Sequence, residues 1–170
     1  MLDRKVVELL NQQVNKELYS AYLYLDMANY YKDVSLDGFY NWYKIQAMEE
    51  RDHAMLFMEY LQQNGEKVVL DAIAKPDIEF KEFIDPLKAG AEHERYVTSL
   101  IHDIYAVAYE NRDFRTMQFL DWFVKEQAEE EDNADSMVSR FELFGSDAKG
   151  LYMLDSELAG RVYSAPSLVL

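Results

Sequence analysis

The sequence contains no cysteine, which excludes disulfides, thiolate zinc sites, iron–sulfur clusters and rubredoxin-like modules together. Glycine and proline are scarce, six and three in 170 residues. That is too few for the turns of an all-β domain, and the helix formers in their place point to an all-α chain. Basic residues are outnumbered, 17 Lys and Arg against 32 Asp and Glu, for a formal charge of −15. Such a chain lacks the basic footprint that nucleic acids and anionic membrane surfaces require, and it suits a protein that handles cations. No apolar run approaches the roughly 20 residues that span a bilayer. Met1-Leu2-Asp3-Arg4-Lys5 leads straight into an amphipathic pattern without the apolar stretch of a secretory signal. The expectation is a cytoplasmic protein with neither a nucleic-acid nor a membrane partner. Hydrophobic residues still make up 49%, enough to bury a core in one domain.

Apolar periodicity divides the chain into five helical segments, about residues 3–33, 36–64, 85–110, 114–144 and 146–158, followed by a tail, 159–170. Ser35 is the expected N-cap of the second helix, and Gly65 the residue that ends it. Asp85 is the expected cap of the third, with Pro86 at its first position, and Asp113 caps the fourth. Residues 66–84 form a stretch too long for an ordinary turn between helices. A helix of about 30 residues is about 45 Å long at 1.5 Å per residue. An extended segment of about 20 residues covers about 60 Å, so this one can traverse a whole bundle. The expected fold is an all-α four-helix bundle of two antiparallel hairpins joined by one long crossover, plus a short fifth helix.

Written at alternating spacings of three and four, each core stripe is apolar except near its middle. The third helix reads Leu87, Gly90, Glu94, Val97, Ile101, Ile104, Ala108. The first carries Glu17 between Val14 and Ala21, then Tyr24; the fourth carries Gln127 and Glu130 between Phe123 and Ala134. The second, less regular, reads Phe39, Tyr43, Gln46, Glu50, His53, Phe57, Tyr60. Glu17 and Glu50 stand at matched distances from the first hairpin break, and Glu94 and Glu130 at matched distances from Arg112. Antiparallel packing therefore brings four buried glutamates into one layer. Desolvation and mutual repulsion oppose such a layer unless cations neutralise it. His53 alone cannot balance four carboxylates, whereas two divalent metal ions can, with Glu50 placed to bridge. Residues three apart share a helix face, so Glu50 and His53 can chelate one ion. Mostly oxygen ligands with one or two nitrogens suit iron or manganese better than structural zinc. A carboxylate-bridged Fe(II) pair is suited to reducing O₂ or peroxide by two electrons.

These residues resemble a known family. Glu17, Tyr24, Glu50, His53, Glu94, Gln127 and Glu130 are similar, position by position, to the ferroxidase centre of bacterial non-haem ferritins. The likeness extends through Leu18-Tyr19-Ser20-Ala21 and Gly150-Leu151-Tyr152, and the single crossover is the connectivity of ferritin-like bundles. The resemblance implies that Glu17, Glu50 and His53 hold one iron and Glu50, Glu94 and Glu130 a second, with Gln127 beside the pair. It implies a third iron site of Glu49, Glu126 and Glu129 that shares Glu130. Tyr24, on the face of Glu17, would donate a hydrogen bond or an electron. The resemblance also implies a hollow shell of 24 identical subunits that stores ferric mineral. Haem is not expected: Arg51 and Asp52 stand where haem-containing relatives carry a methionine ligand, and the fourth helix offers Gln127-x-x-Glu130 in place of a second glutamate-x-x-histidine. Rubrerythrins are excluded by the missing cysteines. An iron container without fast oxidation and a peroxide-detoxifying di-iron protein remain open as alternatives. His93 and His102 lie off the stripe and are expected at the surface or an interface.

Overall fold

A computed structural model describes residues 2–170. It contains α1 (Arg4–Asp33), α2 (Asp37–Gln63), α3 (Asp85–Glu110), α4 (Phe114–Phe144) and α5 (Ala148–Leu158), with no strand among the described residues. α1 packs along α2 and α3 along α4, the two hairpins meet through α1 and α3, and α5 closes one end against α2 and α4. The crossover runs beside α1, tied by Asn11, which bonds Lys67 O and the Val69 amide, and by Asn15, which bonds Ala72 O. Farther along, the Tyr31 hydroxyl donates to Phe83 O at 2.6 Å.

Three long helices end in the same way. Ser35, Gly65 and Arg112 all take left-handed backbone angles, with φ of 62°, 74° and 55°. In each case the next amide reaches back to a carbonyl five residues earlier: Leu36 to Tyr31, Glu66 to Leu61, Asp113 to Ala108. This satisfies carbonyls that the helix end would otherwise leave bare. Gly65 and Asp113 act as the sequence indicates, since Asp113 also accepts from the Thr116 amide.

Ser35 does not: it closes α1 instead of opening α2, and the flanking Leu36 offers no side-chain cap. The free amides of Gly38 and Phe39 instead donate to Asp155 Oδ1 at 2.7 and 3.1 Å, a carboxylate delivered by α5. Gly38 is what permits this approach, because a Cβ there would lie 1.7 Å from the Asp155 carbonyl oxygen. Asp85 is likewise the first helical residue of α3 and not its cap; its carboxylate turns back to the Lys81 and Glu82 amides. α5 begins at Ala148, two residues later than expected, because Asp147 caps it through the Gly150 amide.

The buried interior has two apolar halves. One is built on Val6, Leu10, Val14, Phe57, Leu61, Ile101 and Phe123, the other on Tyr24, Met27, Tyr31, Phe39, Tyr43 and Leu87. The third-helix stripe is buried throughout, whereas α1 starts one position out of phase, with Val6 buried and Val7 only partly so. Between the halves lies a polar belt.

Candidate metal centre

Glu17, Glu50, His53, Glu94, Gln127 and Glu130 are all buried in that belt, together with Gln13 and Gln46. Each long helix contributes a glutamate because its apolar stripe is broken at the same level. The arrangement is uneven. At one end, Glu17, Glu50 and His53 bring one ligand atom each within 4.8 Å of one another. His53 Nδ1 lies 3.6 Å from Glu50 Oε2, and its ring sits edge-on to Trp122 and Phe123. Glu17 Oε1 accepts from Gln13 at 2.8 Å, but Glu17 Oε2 is buried with no hydrogen-bond partner. A bare carboxylate oxygen in a buried site is a costly arrangement. Facing another carboxylate and an imidazole, it fits a cation. The donor set of two carboxylates and one nitrogen fits iron.

At the other end, Glu94 and Glu130 already hold hydrogen-bond donors. Tyr24 donates to Glu94 Oε1, Gln127 to Glu94 Oε2 at 3.1 Å, and Gln46 to Glu130 Oε2 at 2.6 Å. A cavity of about 20 Å³ opens beside them, lined in part by Tyr43, Gly90 and Asn133, which is room for about one water. Gly90 keeps this wall thin, since a Cβ there would lie 3.0 Å from the Tyr43 hydroxyl.

The electrostatics follow from burial. Desolvation pushes the Glu17 and Glu50 carboxyls well above the ordinary range; Glu50 adds repulsion at Glu17, and Glu94 and Glu130 add it at Glu50. Glu94 is also raised by burial, against the opposing bonds from Tyr24 and Gln127. Glu130 is pushed up to about 8 by burial and by Glu94. The Tyr24 phenol is driven well upward by burial and Glu94, so it stays protonated and donates. These groups are poised to exchange protons for metal ions.

The three outer carboxylates are not drawn into one cluster. Glu126 Oε1 reaches to 4.0 Å from His53 Nε2 at the rim, and Glu49 is held by Arg161 of the tail at 2.6 Å. Glu129 is exposed and stands 3.6 Å from Lys125. His102 is exposed and His93 is half-buried. It is wedged between α1 and α3, 2.7 Å from Ser20 Oγ and against the rings of Tyr19 and Tyr24. Burial lowers it to about 4, leaving it neutral at physiological pH.

Sequence reasoning assigned no role to Gln13, Gln46, Trp122 or Arg161. Gln13 and Gln46 did carry a signal, each standing four residues before a stripe glutamate on the same face. Trp122 and Arg161 carried none, since only the folded chain brings them to His53 and Glu49.

Comparison with known proteins identifies the family. The family model described as the ferritin-like domain matches residues 7–144. The bacterial non-haem ferritin of Staphylococcus epidermidis is 35% identical over 164 residues, covering 96% of this chain and 99% of that protein. The bacterial non-haem ferritin of Campylobacter jejuni is 37% identical over 155 residues, covering 91% and 93%. Among solved structures, an engineered closed form of the Archaeoglobus fulgidus ferritin superimposes with a TM-score of 0.94 at 41% identity, covering 96% of this chain and all of that one. The open-pore ferritin of the same archaeon gives 0.93 at 41%. With likeness running through sequence, helix order and nearly the full length, the chain belongs to the non-haem ferritins of the ferritin-like family.

Proposed function

We propose that this protein is a ferroxidase that oxidises Fe(II) as it takes iron into store. The observation that carries this reading is the buried Glu17–Glu50–His53 cluster, with its unpartnered Glu17 oxygen, in a layer that also buries Glu94 and Glu130. Glu17, Glu50 and His53 bind one Fe(II); Glu50, Glu94 and Glu130 bind the second, so that Glu50 serves both. Each Fe(II) gives up one electron, and the pair reduces O₂ with two protons to H₂O₂, or H₂O₂ with two protons to water. Gln127 and Tyr24 orient Glu94, and Gln46 orients Glu130. A third iron binds at the rim between Glu49, Glu126 and Glu129, sharing Glu130. The centre works without haem.

The same family membership supports a closed homo-oligomeric shell of 24 subunits, about 480 kDa for 20.0 kDa chains, acting in the cytoplasm. Exposed apolar side chains on α1 and the crossover, Tyr22, Leu25 and Ile73, provide surface for such contacts. No described helix is long and apolar enough to cross a membrane.

Stopped-flow mixing of the demetallated protein with Fe(II) in air tests the proposal. A fast phase that consumes two Fe(II) per subunit and disappears in His53→Ala is expected. Slow oxidation at the rate of free Fe(II) in wild type would leave a container without an enzyme.

A further inference from the structure

The chain after α5 is fastened into the molecule. Asn41 Nδ2 donates to the carbonyls of Leu158 and Arg161, which sets residues 159–170 running in the same direction as α2. The tail then bonds Asp52 through the Tyr163 hydroxyl and the Trp122 indole through Ser167 Oγ, at 3.0 Å for the latter. Leu168 and Leu170 end against the core. The tail follows the seam between α2 and α4, where no described Cα of one helix comes within 8 Å of the other. The other two seams beside these helices, α1–α2 and α3–α4, are closely packed.

Arg161 sits where this strap passes the metal layer. Its Nη1 donates to the Trp42 carbonyl at 3.2 Å and to Gln46 Oε1 at 2.9 Å, its Nη2 to Glu49 Oε2 at 2.6 Å, and its guanidinium lies 4.0 Å over the Trp42 ring. A surface ion pair is worth little because two long side chains must be held together in water. This one is different: Arg161 and Glu49 are mostly buried, 19% and 17% exposed at the side chain, and three bonds plus a stacked ring fix the fork. Arg161 also determines how the Gln46 amide lies. With its oxygen facing the guanidinium, its NH₂ is aimed at Glu130. Glu49, a carboxylate of the proposed outer site, therefore already holds a fixed positive charge.

We propose that Arg161 is a tethered competitor for the outer metal position: its guanidinium holds Glu49 in place of a divalent cation, and that position fills fully only when Glu49 is released from the tail. The inference rests on the proposed function, both its buried pair and its outer iron position. It implies that the inner pair loads first and that the outer position is restrained by this chain's own C-terminal segment.

Zn(II), which does not turn over, is the probe. The assembled, demetallated protein is titrated by calorimetry, and crystals soaked in Zn(II) are measured at the zinc edge. Wild type is expected to bind two Zn(II) tightly and a third weakly. In Arg161→Gln the third becomes tighter by about tenfold or more, the equivalent of one charge-assisted hydrogen bond lost by the competitor, with an anomalous peak between Glu49 and Glu126. Arg161→Lys, which keeps the charge, leaves the third site weak. The double variant Tyr163→Phe, Ser167→Ala, which loosens the strap but spares the guanidinium, tightens the third site by less than Arg161→Gln does. An Arg161→Gln isotherm superimposable on wild type, or equal tightening in the double variant, overturns the inference while two tight sites still uphold the dinuclear centre. Absence of the two tight sites in wild type overturns the centre itself.

Discussion

At the α1–α2 end of the buried layer, Glu17, Glu50 and His53 aim donor atoms at one another and leave one carboxylate oxygen bare. At the α3–α4 end, Glu94 and Glu130 face Tyr24, Gln127 and Gln46, each of which supplies a hydrogen. Both ends bury like charges, yet only the first leaves a buried carboxylate oxygen without a hydrogen-bond partner. The first end is preorganised, because ligand atoms that already converge need little rearrangement to take an ion. The second is held in reserve, since an ion there competes with hydrogen bonds already made. On the proposed function, this difference predicts that the layer fills in order.

The strongest way to break this comparison is to remove its shared member. Glu50→Ala takes a ligand from both ends and should slow the fast oxidation phase by more than the roughly 10- to 100-fold that loss of an outer-shell partner costs. Glu94→Ala should spare the first ion and weaken mainly the second. Stopped-flow rates with Zn(II) titrations in parallel would show it; identical losses in the two variants would erase the difference between the ends.

The next effect is a pH dependence of stability in the metal-free protein. Glu130 rises from an ordinary 4.5 to about 8 through burial and the nearby Glu94. Below about pH 4.5 it is neutral in both folded and unfolded chains and opposes neither. As pH rises from there to about 8, the unfolded chain releases a proton that the folded one keeps, so stability falls; above that window the loss is complete. Glu130→Gln should flatten this slope and raise stability at pH 8 by a few kcal/mol. Thermal unfolding in chelating buffer measures it, and an unchanged slope would show that Glu130 titrates normally. For the same reason, metal binding near pH 7 should release protons, visible as calorimetric heats that depend on the buffer.

A smaller effect sharpens the reserved end. Tyr24→Phe removes one donor that competes with an ion for Glu94, and severalfold tighter binding of the second Zn(II) is expected, with the first unchanged. Weaker binding of the second ion, or an equal change at both, would mean that these hydrogen bonds do not hold this end in reserve. Least of all, Glu129→Gln should alter folding stability by less than about 0.5 kcal/mol and leave the fast phase intact, since Glu129 is exposed beside Lys125.

The glutamate layer was legible in the sequence because it depends only on periodicity and on distance from two turns. Arithmetic on Glu17 and Glu50, and on Glu94 and Glu130, needs no coordinates. What stayed hidden depends on contacts between distant parts of the chain. Ser35 reads as a cap because its residue type is right, but the left-handed turn that ends α1 claims it first. His93 stands off the stripe, yet the close approach of α1 and α3 half-buries it against Ser20. Arg161 belongs to a polar tail with no periodicity, and only the wide α2–α4 seam gives it a place. Glu49, Glu126 and Glu129 differ again: the family likeness groups them at one outer site, whereas the fold gives Glu49 to Arg161 and sets Glu129 beside Lys125.

The carboxylate that Asp155 lends to the start of α2 has a consequence for how the chain is made. The donor and acceptor are 117 residues apart, and a ribosome adds about 5–20 residues per second. The first turn of α2 therefore emerges and waits on the order of 6–23 s before its capping group exists. During synthesis the α1–α2 hairpin must hold together by its own apolar seam, with two amides still open to water. The end of the bundle that is translated early is completed only when α5 arrives, so this contact registers whether translation has passed the last helix.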